Sequence, residues 1–442
     1  IWQVGYAAAK AADPSAIVAS PGIYVFDGQW QDGVGHGDGL RFLDEALAAR
    51  PALWFSFDAL AIHPYLPDVA PDQPGLYASI SFWGRMSTAR SWLSERTARY
   101  GGAPKPLWIS EVGWSTCTAA QADCYTRAAV GAAGAAQAPA VFLGPMAMGT
   151  PPATTQVAAL PNALIGKSEA QQADYLVRAY ALAMAIGVQH LSWFQLEDKF
   201  DGAAHNFWEE AAIFGTVAEG YRAKPAAQAY ATLSGLLAGG RFTGFGALNT
   251  FSYTPNVLSP QARFHLRFVS ADNRQIDLLW RNAGAEVVDL PLEPGRGAEL
   301  RDRAGSVLGL TLIGGAARLT VGESPLYLIQ SLSPGLQVIP SGVYALMQPD
   351  EPPTQLTITV ANSGSGAISW SATSNAAWLS VQTPAGQGYA SPLTFSIDPS
   401  GLGLGSHSAT LRVSSGALAQ DVPITLMIIE QVWRQRLPFV AR

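Results

Sequence analysis

Chemistry could gather around Glu111. It lies in a run, Pro104 to Thr116, that reads Pro-Lys-Pro-Leu-Trp-Ile-Ser-Glu-Val-Gly-Trp-Ser-Thr. Alternation with a period of two puts Leu107, Ile109 and Glu111 on one strand face and Trp108 and Ser110 on the other, so the carboxylate is expected to point inward. An inward carboxylate is costly unless it is paired, hydrogen-bonded or in use. Two accounts fit: a structural ion pair, or a nucleophile at the carboxyl end of a buried strand.

Other strand ends supply residues that could serve such a nucleophile. His63 and Tyr65 follow the strand Phe57 to Ile62 on a common face, where they could bind substrate hydroxyls or orient Glu111; a satisfied core histidine fits His63 equally well. Trp193, within Gln189 to Leu196, offers a flat platform, with Phe194 directed the other way toward helices; a core tryptophan is the plainer account. Trp114, Trp30, His36 and Asp38 fall on loops, as rim contacts or as loop packing. Cys117 and Cys124 are the chain's two cysteines. They are either a local disulfide, the favoured choice and a sign of an oxidising compartment, or two free thiols. The histidines lack metal-ligand spacing, and the Gly-rich loop before Asp38 lacks the Gly-Lys-Ser/Thr ending of a phosphate cradle, so neither metal nor cofactor is predicted.

The elements that must position these residues alternate. Helical patterns over residues 1–12, about 39–50, 81–100, 168–186 and 224–237 are interleaved with short apolar strands, the pattern of parallel βαβ units. From Arg241 the helical period disappears, and short strands separated by Gly, Pro, Asn and Asp predict an all-β region. The expected organisation is an α/β domain over 1–238, an accessory β-sandwich over 239–333, a Pro- and Gly-rich linker over 334–352, a second sandwich over 353–430 and a tail over 431–442. With 442 residues, 48% hydrophobic and 14% charged, the chain has ample material for large cores. A net charge of -6 with no basic stripe argues against a nucleic-acid partner. The longest uncharged run, Ala128 to Leu164, is rich in Ala and Gly and broken by Pro, so no membrane span is expected.

In register, Pro21-Gly22, His63-Pro64-Tyr65, Glu111-Val112-Gly113-Trp114 and Trp193-Phe194-Gln195 resemble the last four strand ends of the clan A glycoside hydrolases, retaining (β/α)8 enzymes that include cellulase-like and xylosidase-like families. The resemblance implies the C-terminal half of a TIM barrel, strands five to eight, followed by two β-sandwiches. It implies Glu111 as catalytic nucleophile, His63, Tyr65, Trp114 and Trp193 as substrate-binding residues, and an oligo- or polysaccharide partner. Residues 351–430 resemble the BACON type of bacterial sandwich through Trp370-Ser371-Ala372, Ala377-Trp378-Leu379 and Asp398-Pro399-Ser400-Gly401-Leu402. This implies carbohydrate or mucin binding, though Trp370 and Trp378 equally suit the core of a plain spacer. A secreted or surface-exposed bacterial protein is expected.

The match fails at one point. The clan supplies its general acid from an Asn-Glu pair ending the fourth strand, and no Asn-Glu pair occurs here. The missing half is expected to precede Ile1, leaving these residues almost inactive. The alternative is a noncatalytic glycan-binding or interaction protein with a degenerate barrel, in which Glu111 is idle.

Overall fold

The computed structural model describes residues 2–25, 39–66, 69–73, 81–117, 166–199, 210–252 and 261–430. Trp30, His36, Asp38, Cys124, the run from Ala128 to Leu164 and the tail lie outside the described residues. The chain divides into two compact units: 1–268 with 276–291 and 299–328, and 269–275 with 292–298 and 329–442.

The first unit opens with helices α1 (Trp2–Ala12), α2 (Gly39–Ala49), α3 (Phe82–Tyr100), α4 (Glu169–Ile186) and α5 (Pro225–Leu237). Between them run strands β1 (Ile23–Tyr24), β2 (Leu60–His63), β3 (Leu107–Val112) and β4 (His190–Trp193). These strands are parallel, in the order β1-β2-β3-β4. Local chemistry sets the helix ends. Ser168 and Gln171 form a reciprocal capping box on α4, Gly187 at φ 81 ends it, and Pro225 opens α5. The apolar run Ile17 to Ser20 makes one parallel bridge, Ala19 to Ala59. Pro21 has no N–H to continue a ladder, so regular pairing resumes only at Ile23.

The strands that follow are β5 (Arg241–Phe245), β6 (Arg263–Val269), β7 (Gln275–Arg281), β8 (Glu286–Pro291), β9 (Arg296–Asp302), β10 (Val307–Leu308), β11 (Thr311–Ile313), β12 (Ala316–Val321) and β13 (Leu326–Leu332). They form a six-stranded sheet, β10-β9-β13-β7-β6-β5, and a three-stranded one, β11-β12-β8. The boundary expected at 238 does not separate compact units, and buried polar contacts give the reason. Asp72, in the loop after β2, receives Arg178 of α4 at 3.0 Å and the indole N–H of Trp280 of β7 at 2.8 Å. All three are buried. Arg178 also donates to the Glu323 carbonyl, and Asp174 of α4 accepts from Ser324 at 2.7 Å. Trp83 of α3 meets Phe245 and Phe251 edge-on or tilted.

The second unit contains β14 (Leu336–Ile339), β15 (Val343–Met347), β16 (Thr354–Asn362), β17 (Ile368–Ser374), β18 (Leu379–Val381), β19 (Ala385–Gly388), β20 (Ala390–Ile397), β21 (Gly405–Ser415) and β22 (Leu418–Ile428). Two sheets, β14-β16-β20-β18 and β15-β22-β21-β17-β19, enclose Trp370, Phe395, Leu411 and Ile424. The expected linker over 334–352 is corrected here. It supplies β14, antiparallel to β16, and β15, parallel to β22. Pro340 and Gly342, which suggested a linker, mark the corner where the chain leaves one sheet for the other. Trp370 is a core residue, its indole N–H bonded to Ser391 Oγ at 2.7 Å.

The Arg178 and Asp72 charges are both desolvated, so removing one strands the other. Arg178→Leu is expected to lower stability by about 3–5 kcal/mol in urea unfolding. A loss below about 1 kcal/mol would show that Asp72 is satisfied without it.

Candidate active site

Register along β3 decides which side chains meet. Ile109 pairs with Leu191 and Val112 with Trp193, so three steps on β3 match two on β4. One extra residue is therefore accommodated in β3, a β-bulge. Ile109 and Val112 are fully buried, whereas Ser110 and Glu111, consecutive in sequence, both reach the His63 ring. Strict alternation would have sent them to opposite faces. The expected face-sharing of Leu107, Ile109 and Glu111 is thus corrected: the bulge moves Glu111 off the face of Leu107 and Ile109. Nor is the carboxylate deeply buried; its side chain is 42% exposed.

Around Glu111 the contacts are specific. Tyr65 donates its hydroxyl to Glu111 Oε2 at 3.1 Å. His63 Nδ1 lies 3.6 Å from the same oxygen, beyond hydrogen-bond distance but close enough for charge to act, while Nε2 is 2.9 Å from Ser110 Oγ. Burial holds the His63 imidazole below its ordinary 6.5, against the opposing pull of Glu111. The ring is therefore neutral at neutral pH, and the adjacent carboxylate favours its proton on Nδ1, leaving Nε2 to accept from Ser110. Burial first, then the Glu111 charge, pushes the Tyr65 phenol well up, so Tyr65 remains a donor. Two glycines permit these approaches. A Cβ on Gly22 would lie 2.1 Å from His63 Nε2, and one on Gly113 would lie 2.2 Å from the Phe194 carbonyl.

The tryptophans fall elsewhere. Trp114 is fully buried, its indole N–H bonded to the Val69 carbonyl at 2.8 Å, and it packs against Phe82 of α3 and Tyr175 of α4. It is a packing residue, which corrects its expected place in substrate contact. Trp193 extends the same layer: its ring lies 5.7 Å from Trp114, and its N–H donates to the Ala211 carbonyl at 2.9 Å. Since Trp193 pairs with buried Val112 on that side, alternation sends Phe194 to the opposite face, where its ring meets Tyr65 at 6.4 Å. Phe194, expected against the helices, thus takes the position foreseen for Trp193. Sequence reasoning missed Phe194 and Ser110. The former was recoverable by shifting the strand register by one; the latter depends on a bulge that leaves no residue signature.

Asp198, in the segment after β4, is nearly buried and ion-paired with Lys224, and it accepts from the Ala212 N–H at 3.0 Å. Lys224 also donates to Thr116 Oγ1 at 2.8 Å, which ties the loops after β3 and β4 together. Cys117 is buried and disulfide-bonded, while Cys124 lies outside the described residues. Among the described residues no group of three His, Cys, Asp or Glu could hold a metal ion, and no helix is long and apolar enough to cross a membrane.

This arrangement presents a carboxylate with a phenol donor and a neutral imidazole at the carboxyl ends of neighbouring parallel strands, flanked by an aromatic ring. It can attack, or stabilise, an electron-deficient carbon. The His63 environment makes a prediction. Between the lowered folded value and 6.5, the unfolded chain binds a proton that the folded chain does not, so stability is present above 6.5 and falls as pH drops through that window. His63→Gln is expected to flatten the decline in the urea midpoint between about pH 7 and about pH 5. An identical decline in both proteins would assign it to other groups.

Comparison with known proteins agrees with the fold. Residues 338–427 match the viral BACON domain family. No curated protein matches the chain. Among solved structures, a family 39 glycoside hydrolase from the gut symbiont Bacteroides cellulosilyticus is similar at 17% identity and TM-score 0.50, over 74% of this chain and 54% of that one. Family 51 arabinofuranosidases from Bifidobacterium longum (12% identity, TM-score 0.42, 74% of this chain and 61% of that one) and Xanthomonas axonopodis pv. citri (13%, 0.38, 71% and 58%) are also similar. This chain therefore spans between half and two thirds of each of these relatives. The likeness to the family 39 glycoside hydrolase structure is one of fold.

Proposed function

We propose that the chain carries the nucleophile half of a retaining glycoside hydrolase site, with Glu111 attacking the anomeric carbon. The observation that supports this most directly is the Tyr65 hydroxyl on Glu111 Oε2 at the ends of adjacent parallel strands. Glycosidic cleavage passes through an oxocarbenium-like state, which a carboxylate on the opposite side of the ring from the leaving group stabilises and then captures. Tyr65 holds the carboxylate in one orientation without taking its charge, and neutral His63 brings a dipole rather than a competing cation. Phe194 offers a ring for the C–H face of the sugar. On this reading β1 to β4 are strands five to eight of a (β/α)8 barrel, and the protein is a secreted or cell-surface bacterial enzyme acting on an oligo- or polysaccharide.

Retention needs a second carboxyl group about 5–5.5 Å from the first to protonate the leaving oxygen. Asp198 is committed to Lys224 and is not that acid. On this reading the acid comes from the other strands of the barrel, and turnover of unactivated glycosides by these residues alone should be weak, since acid catalysis contributes about 10²- to 10⁴-fold. A dinitrophenolate leaving group needs no proton. Incubation with 2,4-dinitrophenyl 2-deoxy-2-fluoro-β-D-xyloside or the corresponding glucoside should therefore place a fluoroglycosyl group on the peptide containing Glu111, found by mass spectrometry. Glu111→Gln should take up none. Label on another carboxylate would reject Glu111 as nucleophile.

The BACON match favours a second reading, a glycan-binding protein in which Glu111 is idle. Absence of label together with retention on immobilised xylan or mucin would decide for it.

A further inference from the structure

The strands beyond residue 240 take no part in the chemistry described so far, yet one of their side chains reaches the loops that carry it. Trp280 of β7 is fully buried and lies flat on Phe264, ring centroids 4.8 Å apart and planes 5° apart. Its indole N–H donates to Asp72 Oδ2 at 2.8 Å. Three residues before Asp72, the Val69 carbonyl accepts the indole N–H of Trp114 at 2.8 Å, and Trp114 stands three residues after Glu111. The Trp114 carbonyl in turn receives Gln172 of α4 at 2.8 Å. A second strut runs beside the first, from Gln73 Nε2 to the Asn282 carbonyl at 3.2 Å.

We propose that Trp280 is a positioning residue for the Tyr65–Glu111 pair, the β-sandwich strands serving as a strut that fixes the segments following β2 and β3; the inference rests on Glu111 as the nucleophile of a glycosidase. Packing on Phe264 requires only a flat ring, which phenylalanine also supplies. The indole N–H adds direction. Asp72 is already held by Arg178 at both oxygens, at 3.0 and 3.2 Å, and the Trp280 bond fixes this buried carboxylate from the sandwich side as well. A carboxylate bound from two elements cannot drift with either one. The segment that carries Asp72 also supplies the acceptor for Trp114, so the end of β3 is referred to the sandwich through the buried Trp280–Asp72 bond and the part-buried Trp114–Val69 bond. Small misplacement of a reacting group costs large factors in rate, up to about 10²-fold for 1 Å.

Trp280→Phe in the full chain tests this with two readouts. In the first, the His63 imidazole is titrated by NMR, its signal assigned from His63→Gln. Its midpoint, lying below 6.5 in the parent, should move up toward 6.5 in the variant as the loosened site admits water. In the second, labelling of Glu111 by 2,4-dinitrophenyl 2-deoxy-2-fluoro-β-D-xyloside should slow by about 10-fold at saturation, with little change in the concentration for half-saturation. Gln73→Met, which removes only the second strut, should give a smaller change in the same direction and stands in if Trp280→Phe fails to fold. An unchanged His63 midpoint and labelling rate, even with a lowered melting temperature, would overturn the proposal, because a purely structural tryptophan moves only the last. If the parent is not labelled at all but the His63 midpoint moves, the glycosidase reading falls while the positioning role of Trp280 stands.

Discussion

One extra residue in β3 is the constraint on which the site depends. The pairing of Ile109 with Leu191 and Val112 with Trp193 keeps the buried aliphatic face of β3 on one side of the sheet on both sides of the irregularity. Because both anchors are completely buried, the strand cannot relax into regular alternation without expelling one of them. Expulsion would forfeit roughly 1.5–3 kcal/mol of burial for an Ile or Val side chain, more than a local loss of one ladder hydrogen bond. The extra residue is thereby forced to the other side, and two consecutive polar side chains, Ser110 and Glu111, address one imidazole.

Buried charge holds the surroundings of this bulge. Lys224 with Asp198, and Arg178 with Asp72, are nearly completely desolvated pairs, each completed by further hydrogen bonds. Such pairs give little net stability against apolar replacements but are intolerant of rearrangement, since any shift leaves a charge without a partner. Their carboxylates lie in irregular segments, Asp72 after β2 and Asp198 after β4. A third buried carboxylate, Asp277 of β7, is held in the same way within regular strands, by His265 at 2.8 Å and Arg267 at 2.9 Å from β6.

Much of the fold was legible in the sequence, and particular residues show why. The capping pair Ser168 and Gln171, the stop at Gly187 and the Pro225 start act within a few residues, so their chemistry is local and readable. Alternation along β16, β17 and β22 was equally clear. The linker over 334–352 was misjudged because Pro340 and Gly342 mark both linkers and sheet corners; only the pairing of β14 and β15 with distant strands distinguishes them. At the site, Glu111, His63 and Tyr65 were legible as residues at or just past strand ends. Phe194 and Ser110 were not, since a one-residue slip exchanges the faces of every following side chain and the slip itself is a matter of tertiary packing.

The composition of the two sheet faces bears on what the site handles. On the helix-covered side β3 and β4 present Leu107, Ile109 and Val112, all buried, and the half-buried Trp193, an aliphatic and aromatic surface. The other side carries Trp108, Ser110, Glu111, His190 and Ser192, with the Trp108 and His190 rings 5.0 Å apart and His190 bonded to Ser192. Such a mixture of hydroxyl, imidazole and aromatic groups would be a poor dry core, because each polar atom would need a partner that neighbouring aliphatics cannot supply. It suits a polar ligand that brings its own donors and acceptors together with apolar C–H faces. Glu111, 42% exposed among these groups, is screened by water as it stands, and the field of its carboxylate would strengthen once a ligand displaced that water. The half-exposed acid is therefore a consequence of the bulge: it removes Glu111 from the side where burial would have neutralised or paired it and delivers it to the polar side, where a ligand could use its charge.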